Sequence, residues 1–238
     1  MKRLGVNIDH IATVRNARGE NHPSVISAAK FVIKCGADLV TIHLREDRRH
    51  INDTDLKILS NIRSIPINLE IAANNQMLKI ALKHKPKYVC IVPEKRREVT
   101  TEGGLNLRKH KNKIKKIVKK LNEKKIRTSL FINPNIKDIE ISKFINTNCV
   151  EIHTGKISRQ IKANRSFKHE LRKIIECTDL ATDLGIEVHA GHGIDFKTAK
   201  VLSKIKEIKE FNIGHFIIGE SIFYGLNNII KIFKKICR

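Results

Sequence analysis

Tryptophan is absent from this 238-residue chain, and with nine phenylalanines and two tyrosines the aromatics reach only 5%. A protein that stacks bases of single-stranded nucleic acid needs an aromatic platform, and there is little here to build one. Cysteines number five, an odd count at wide spacing (Cys35, Cys90, Cys149, Cys177, Cys237), with no C-x-x-C pair. That excludes a disulfide framework and a zinc ribbon, and leaves small buried hydrophobes in a reducing compartment. No apolar run approaches the roughly 18 residues of a membrane span. The start, Met1-Lys2-Arg3 followed by Leu4-Gly5-Val6-Asn7, lacks the apolar stretch of a secretory signal, so a cytoplasmic location is expected. No G-x-G-x-x-G follows the first strand-like run, which weighs against a dinucleotide-binding sheet.

Acidic residues are also scarce. Against 47 Lys and Arg stand 24 Asp and Glu, a net charge of +23. Such an excess draws polyanions. The lysines nevertheless gather on what read as helix outer faces, in residues 109–125 and 231–235, opposite apolar stripes. A solvated face explains them, and no nucleic-acid or membrane partner is expected. Phosphorylated small molecules would profit from the same field.

What the chain has is alternation. β-branched runs at residues 4–7, 39–43, 67–71, 88–92, 128–132, 150–153, 187–190 and 212–218 predict eight buried parallel strands. Between them, apolar residues recur at helical spacing: Val25, Ala28, Ala29, Val32, Ile33; then Ile114, Ile117, Val118, Leu121; and last Ile222, Leu226, Ile229, Ile230, Phe233. Gly36 and Gly185 stand where helices end, Asp53 or Thr54 and Ser221 where they begin. Eight strands with about eight helices in a chain close to the usual 250 residues predict an α/β fold, one (β/α)8 TIM barrel over residues 1–238. A short extra helix is expected at residues 157–164, after strand six.

In a barrel of this kind chemistry sits where strands run into loops. Proton-active residues recur at that position: Asn7, Asp9 and His10; His43 and Arg45; Glu70; Glu94; Glu151 and His153; His189 and His192; His215. Glu70 interrupts the apolar run Ile67-Asn68-Leu69-Glu70-Ile71, and a buried acid is costly unless paired or protonated. The glycine loops Gly191-His192-Gly193 and Gly214-His215 offer backbone N–H groups to a phosphate. Gly103-Gly104, after Thr100 and Thr101, reads as a loop over the mouth.

Residues 5–13 (GVNIDHIAT), 43–50 (HLREDRRH), 92–96 (VPEKR), 98–104 (EVTTEGG), 151–155 (EIHTG), 190–193 (AGHG) and 212–215 (NIGH) together resemble the pyridoxine 5′-phosphate synthase family. The resemblance runs from end to end. It implies condensation of 3-amino-2-oxopropyl phosphate with 1-deoxy-D-xylulose 5-phosphate, with no metal or organic cofactor, in a homo-oligomer, octameric in relatives. By motif, His43 and Glu70 would be general bases and His192 a general acid. Asn7, Arg18, Gly193, Gly214 and His215 would hold the amino-ketone phosphate; Asp9, His10, Arg45, His50 and Thr100 the deoxyxylulose phosphate. Glu151, His153 and His189 are then supports. Two positions depart from the family: His189 stands in place of Asn, and Glu220 in place of a basic residue, so Glu220 is expected to face away from the phosphate. Two other functions fit the same composition: a metal-dependent barrel hydrolase, although strand one ends in Asn7-Ile8-Asp9-His10 rather than a His-x-His pair, and a basic nucleic-acid binder.

Overall fold

The structure, a computed structural model, describes residues 1–94 and 103–238. Eight parallel strands close into a barrel: β1 (Arg3–Asn7), β2 (Leu39–His43), β3 (Ile67–Ala72), β4 (Tyr88–Val92), β5 (Arg127–Ile132), β6 (Cys149–His153), β7 (Glu187–Gly191) and β8 (Ile208–Ile213), each paired with its sequence neighbours and β8 with β1. The closing register sets Leu4 beside Phe211 and Gly5 beside Asn212. Strand side chains alternate between two environments. Leu4, Val6, Val40, Ile42, Leu69, Ile71, Val89, Ile91, Leu130, Ile132, Val150, Ile152, Val188 and Phe211 are buried in one continuous apolar cluster with the helices. Many of the intervening positions are polar, and Thr41, Asn68, Ser129, Glu151, His189 and Asn212 are all buried; Cys90 and Phe131 among them form a small separate apolar cluster with Val92. Hydrogen bonds cross between these strands, from Asn68 to Thr41 and from Thr41 to Asn212, so they face the bore.

Eleven helices surround the barrel among the described residues: α1 (Asp9–Arg18), α2 (Val25–Lys34), α3 (Asp53–Ser60), α4 (Asn75–His84), α5 (Leu107–Glu123), α6 (Ile136–Ile145), α7 (Gly155–Lys162), α8 (Lys168–Asp183), α9 (Phe196–Leu202), α10 (His215–Tyr224) and α11 (Leu226–Ile236). In α5, Ile114, Ile117, Val118 and Leu121 are buried, and most of its lysines face solvent. No helix among the described residues is long and apolar enough to cross a membrane. The extra helix after strand six is α7, opening two residues earlier than expected.

Three boundaries differ from expectation. Asn52, not Asp53 or Thr54, caps α3: its side chain accepts from Asp55 N while Asp55 accepts from Asn52 N, a reciprocal capping box. Strand eight lies four residues upstream, at Ile208–Ile213. Its true run carries Lys209 and Glu210 and so lacks an apolar texture, whereas Phe216-Ile217-Ile218 looks like a strand and is the first turns of α10. Short apolar runs do not distinguish the two states by period. Ser221 lies inside α10, its Oγ donating to Ile217 O, and Gly225 separates α10 from α11. The supposed single last helix is thus two, and Ile222 of its expected stripe is 78% exposed.

Candidate active site

The C-terminal ends of β1, β2 and β3 bring one group of residues together. The Asn7 side chain donates to Asp9 Oδ2 and accepts from Asp9 N, both at 2.9 Å, which fixes the turn from β1 into α1. Asp9 Oδ1 accepts from His43 N at 2.9 Å and lies 3.9 Å from His50 Nδ1. The His43 ring stands between two carboxyl groups: Nδ1 is 3.7 Å from Glu70 Oε2 and Nε2 is 3.6 Å from Glu94 Oε2. Arg45, buried beside them, has its Nε 3.4 Å from Asp47 Oδ1 and 3.9 Å from Glu94 Oε1.

The acids of this group are tuned apart. Burial, with the nearby charges of Glu151 and Asp9, holds the Glu70 carboxyl well above its ordinary value, although 17% of its side chain stays exposed. Glu94 goes the other way. Burial opposes its ionisation, but His43, the Glu46 N–H and Arg45 together outweigh that and hold it below the usual carboxylate range. Glu151 in β6 is raised chiefly by burial, and its Oε2 accepts from Asn212 Nδ2 at 2.8 Å. An imidazole thus stands between one carboxyl raised and one lowered in proton affinity.

A second group forms at β6 and β7. His153 and His192 pack with ring centroids 4.8 Å apart, and Phe131 meets His153 edge-on at 5.4 Å. Burial first, then the charges of His192 and Arg159, push His153 down to about 4. Burial and the cations Arg159 and Lys162 lower His192 as well. His192 and Gly193 both take left-handed φ, +72° and +77°. Thr154 Oγ1 pins that turn by donating to Gly191 O at 2.9 Å and His192 O at 2.7 Å.

The third group lies where β8 meets β1. His10 and His215 have ring centroids 4.9 Å apart, and burial, then His215, lowers His10. Gly214 is the residue before α10, whose start has no side-chain cap, so its first N–H groups are open to an anion. A Cβ on Gly214 would stand 2.9 Å from Asn7 Cβ, which is why this close approach needs glycine.

Most of the expected site residues therefore occupy three adjoining strand-end groups. Arg18 does not: at the far end of α1, its side chain is 78% exposed and pairs with Glu20 at 3.2 Å. Thr100 lies outside the described residues. Glu151, read as a support, is central to the bore; Glu94 was read as a strand-end acid with no role attached, and Asn212 was not singled out. The signal for Asn212 was the alternation Glu210, Asn212, Gly214, hidden by the misplaced strand. His189, the departure from Asn, lies deeper, among Glu187, Glu210, Arg3, Arg127 and Cys149. Its Nε2 is 2.8 Å from Glu187 Oε1 and 2.9 Å from Arg127 Nη2, and both Arg3 and Arg127 pair with Glu187. Burial opposes the charge on His189, but Glu210 and hydrogen bonds to Cys149 and Glu187 outweigh it and push the ring up to about 10.

Among the described residues, two clusters have metal-ligand composition. Asp9, His43 and His50 come within 4.8 Å of one another, but His50 Nδ1 already accepts from Ile51 N at 3.0 Å and Asp9 Oδ1 from His43 N. Cys149, Glu187 and His189 form the other, with a protonated imidazole and two guanidinium groups that repel a cation. Neither donor set fits a metal ion well.

A closed parallel barrel with carboxyls and imidazoles converging at its strand ends defines a barrel enzyme. Residues 4–238 match the family described as "Pyridoxal phosphate biosynthesis protein PdxJ", and the chain belongs to that family. It is 64% identical over 236 residues to the pyridoxine 5′-phosphate synthase of Pelagibacter ubique, covering 99% of both chains. It is 50% identical over 229 residues to the synthase of Zymomonas mobilis, covering 96% of this chain and 89% of that one. Among solved structures it is similar to phosphoribosylanthranilate isomerase from Thermotoga maritima, with a TM-score of 0.61 at 13% identity over 100% of this chain and 98% of the other, a likeness of fold alone.

Proposed function

We propose that the chain, acting as one catalytic barrel over residues 1–238, condenses 3-amino-2-oxopropyl phosphate with 1-deoxy-D-xylulose 5-phosphate to pyridoxine 5′-phosphate, releasing phosphate and water. The observation that carries this is the His43 ring, set between one carboxyl raised and one lowered in proton affinity, in a chain 64% identical to a synthase of that name. Imine formation must expel water, a carbon-bound proton must leave, one phosphate must be eliminated, and ring closure moves further protons. One base does not suffice for that sequence, and His43 with Glu70 supplies two adjacent sites of different proton affinity.

His192 is the general acid. In the empty pocket its surroundings disfavour the imidazolium, and an arriving phosphate dianion offsets Arg159 and Lys162 and restores its proton. Gly193, Gly214, His215, Asn7 and the start of α10 hold the amino-ketone phosphate. Asp9, His10, Arg45, His50 and Thr100 hold the deoxyxylulose phosphate, with Arg45 offering its planar fork. Arg18 belongs to the first set only if α1 or a second copy carries it inward. The working form is a cytoplasmic homo-oligomer, octameric like its family, with no nucleic-acid or membrane partner. Purified protein mixed with the two phosphates should form pyridoxine 5′-phosphate, followed by absorbance; a well-folded preparation that forms none refutes the assignment.

A further inference from the structure

We infer that Glu94 is a positioning residue for His43, accepting its Nε2–H and so fixing the tautomer whose Nδ1 lone pair faces Glu70. The inference rests on His43 serving as a base in the proposed reaction. Among the described residues, two neighbouring buried polar atoms have no hydrogen-bond partner, His43 Nε2 and Glu94 Oε2, and they face each other at 3.6 Å. That separation is longer than a hydrogen bond, as catalytic contacts often are before substrate closes the site. Each is the other's nearest means of satisfaction, since an unpaired buried group costs about 1–3 kcal/mol.

The Glu94 side chain is held for this task. Only 1% of it is exposed, and its other oxygen, Oε1, accepts from Glu46 N at 2.7 Å. Glu46 is in turn tied through Oε1 to Asn74 Nδ2 at 3.0 Å. Three loops, those after β2, β3 and β4, are thus linked through two carboxyl groups, and that of Glu94 ends on the imidazole. The remaining charged and titratable neighbours of His43 are Glu70 from β3, Asp9 from α1, His50 at 6.0 Å between ring centroids, and Arg45 beside Glu94. Of these, Glu94 alone pairs with Nε2. Glu70 takes the opposite ring nitrogen, and Asp9 takes the backbone N–H. A carboxylate that orients a basic imidazole through one nitrogen leaves the other free to take a proton.

The test compares wild type, Glu94→Gln and Glu94→Asp in steady state and by NMR of ¹⁵N-histidine-labelled protein, with the His43 resonances assigned by their loss in His43→Gln. The expected results are a kcat about a hundredfold lower in Glu94→Gln with KM for both phosphates nearly unchanged, and partial recovery in Glu94→Asp. Wild-type His43 should carry its proton on Nε2, and Glu94→Gln should move it to Nδ1 or mix the two. Wild-type kcat in Glu94→Gln, or a wild-type ring protonated on Nδ1 alone, overturns the inference. Should wild type make no pyridoxine 5′-phosphate at all, the functional assignment fails, and the tautomer measurement still decides the role of Glu94.

Discussion

Gly191 leaves open the space that Glu151 fills: a Cβ built on Gly191 would stand 1.9 Å from Glu151 Oε1. The same arrangement recurs across the bore, where a Cβ on Gly5 would lie 2.0 Å from Asn212 Oδ1. Asn212 donates to Glu151, so two glycines in separate strands make room for one hydrogen-bonded pair. Gly191→Ala should therefore displace the Glu151 carboxylate. We expect a loss of about 1–3 kcal/mol in urea unfolding and a lower kcat, the cost of overpacking a filled interior. A variant as stable and as active as wild type would show that Glu151 can move without consequence.

Glu70→Gln should separate stability from turnover. Its carboxyl is raised in the fold, so between the ordinary carboxylate value and the folded one the native state binds the extra proton. Wild-type stability then falls as pH rises through that window. The amide has no such dependence. Relative to wild type, Glu70→Gln should gain stability on going from pH 4.5 to pH 8, while kcat falls about 10²–10⁴-fold. Chemical denaturation at the two pH values, with steady-state kinetics, checks both halves.

His189→Asn, which restores the residue expected from the family, should cost stability here. The ring is raised from 6.5 to about 10, so its contribution is complete below pH 6.5 and is lost as pH rises through 10. The substitution removes one of three cations facing Glu187 and Glu210 and leaves Arg3 and Arg127, so the cost should be about 1.5–3 kcal/mol, that of a lost hydrogen bond to a charged group. Denaturation curves of the two proteins should lie far apart at pH 6 and converge toward pH 10; a constant gap would mean lost packing, not lost charge.

His215→Ala should act on binding. His215 begins α10 beside His10 and Gly214, away from the His43 ring. KM for the amino-ketone phosphate should rise at least tenfold with kcat within a few-fold of wild type, while KM for the deoxyxylulose phosphate holds. Initial rates with each substrate varied in turn decide it.

Seven of the eight strands were legible because their outward-facing positions are Val, Ile and Leu, which carry a strand texture whatever faces the bore. β8 was misplaced for the opposite reason. Glu210 and Lys209 break its apolar pattern, and Glu210 is tolerated in the interior because it is partnered, above all by Arg3 on the neighbouring strand, which donates to it at 2.7 Å. That contact spans nearly the whole chain and leaves no local trace. His43, Glu70 and His192 were visible as polar residues at strand ends, and Glu70 as an acid in an apolar run. Glu94 was seen only as a residue after β4, because its significance lies in which ring nitrogen it faces. Arg18 shows the reverse limit: a motif places a residue in sequence, and the helix it ends decides where its side chain goes.

The usual way to make a barrel more heat-resistant is to fill its axis with interlocking aliphatic layers. In this protein the axis holds Asn68, Glu151, His189, Asn212 and their partners, and Glu151 among them also raises the proton affinity of Glu70 at the strand ends. An engineer who repacked it with Leu and Ile would raise the melting temperature and silence the enzyme in one step. Gains in robustness must come from outside the strands, from the lysine-bearing helices, where charge can be rebalanced without touching the bore.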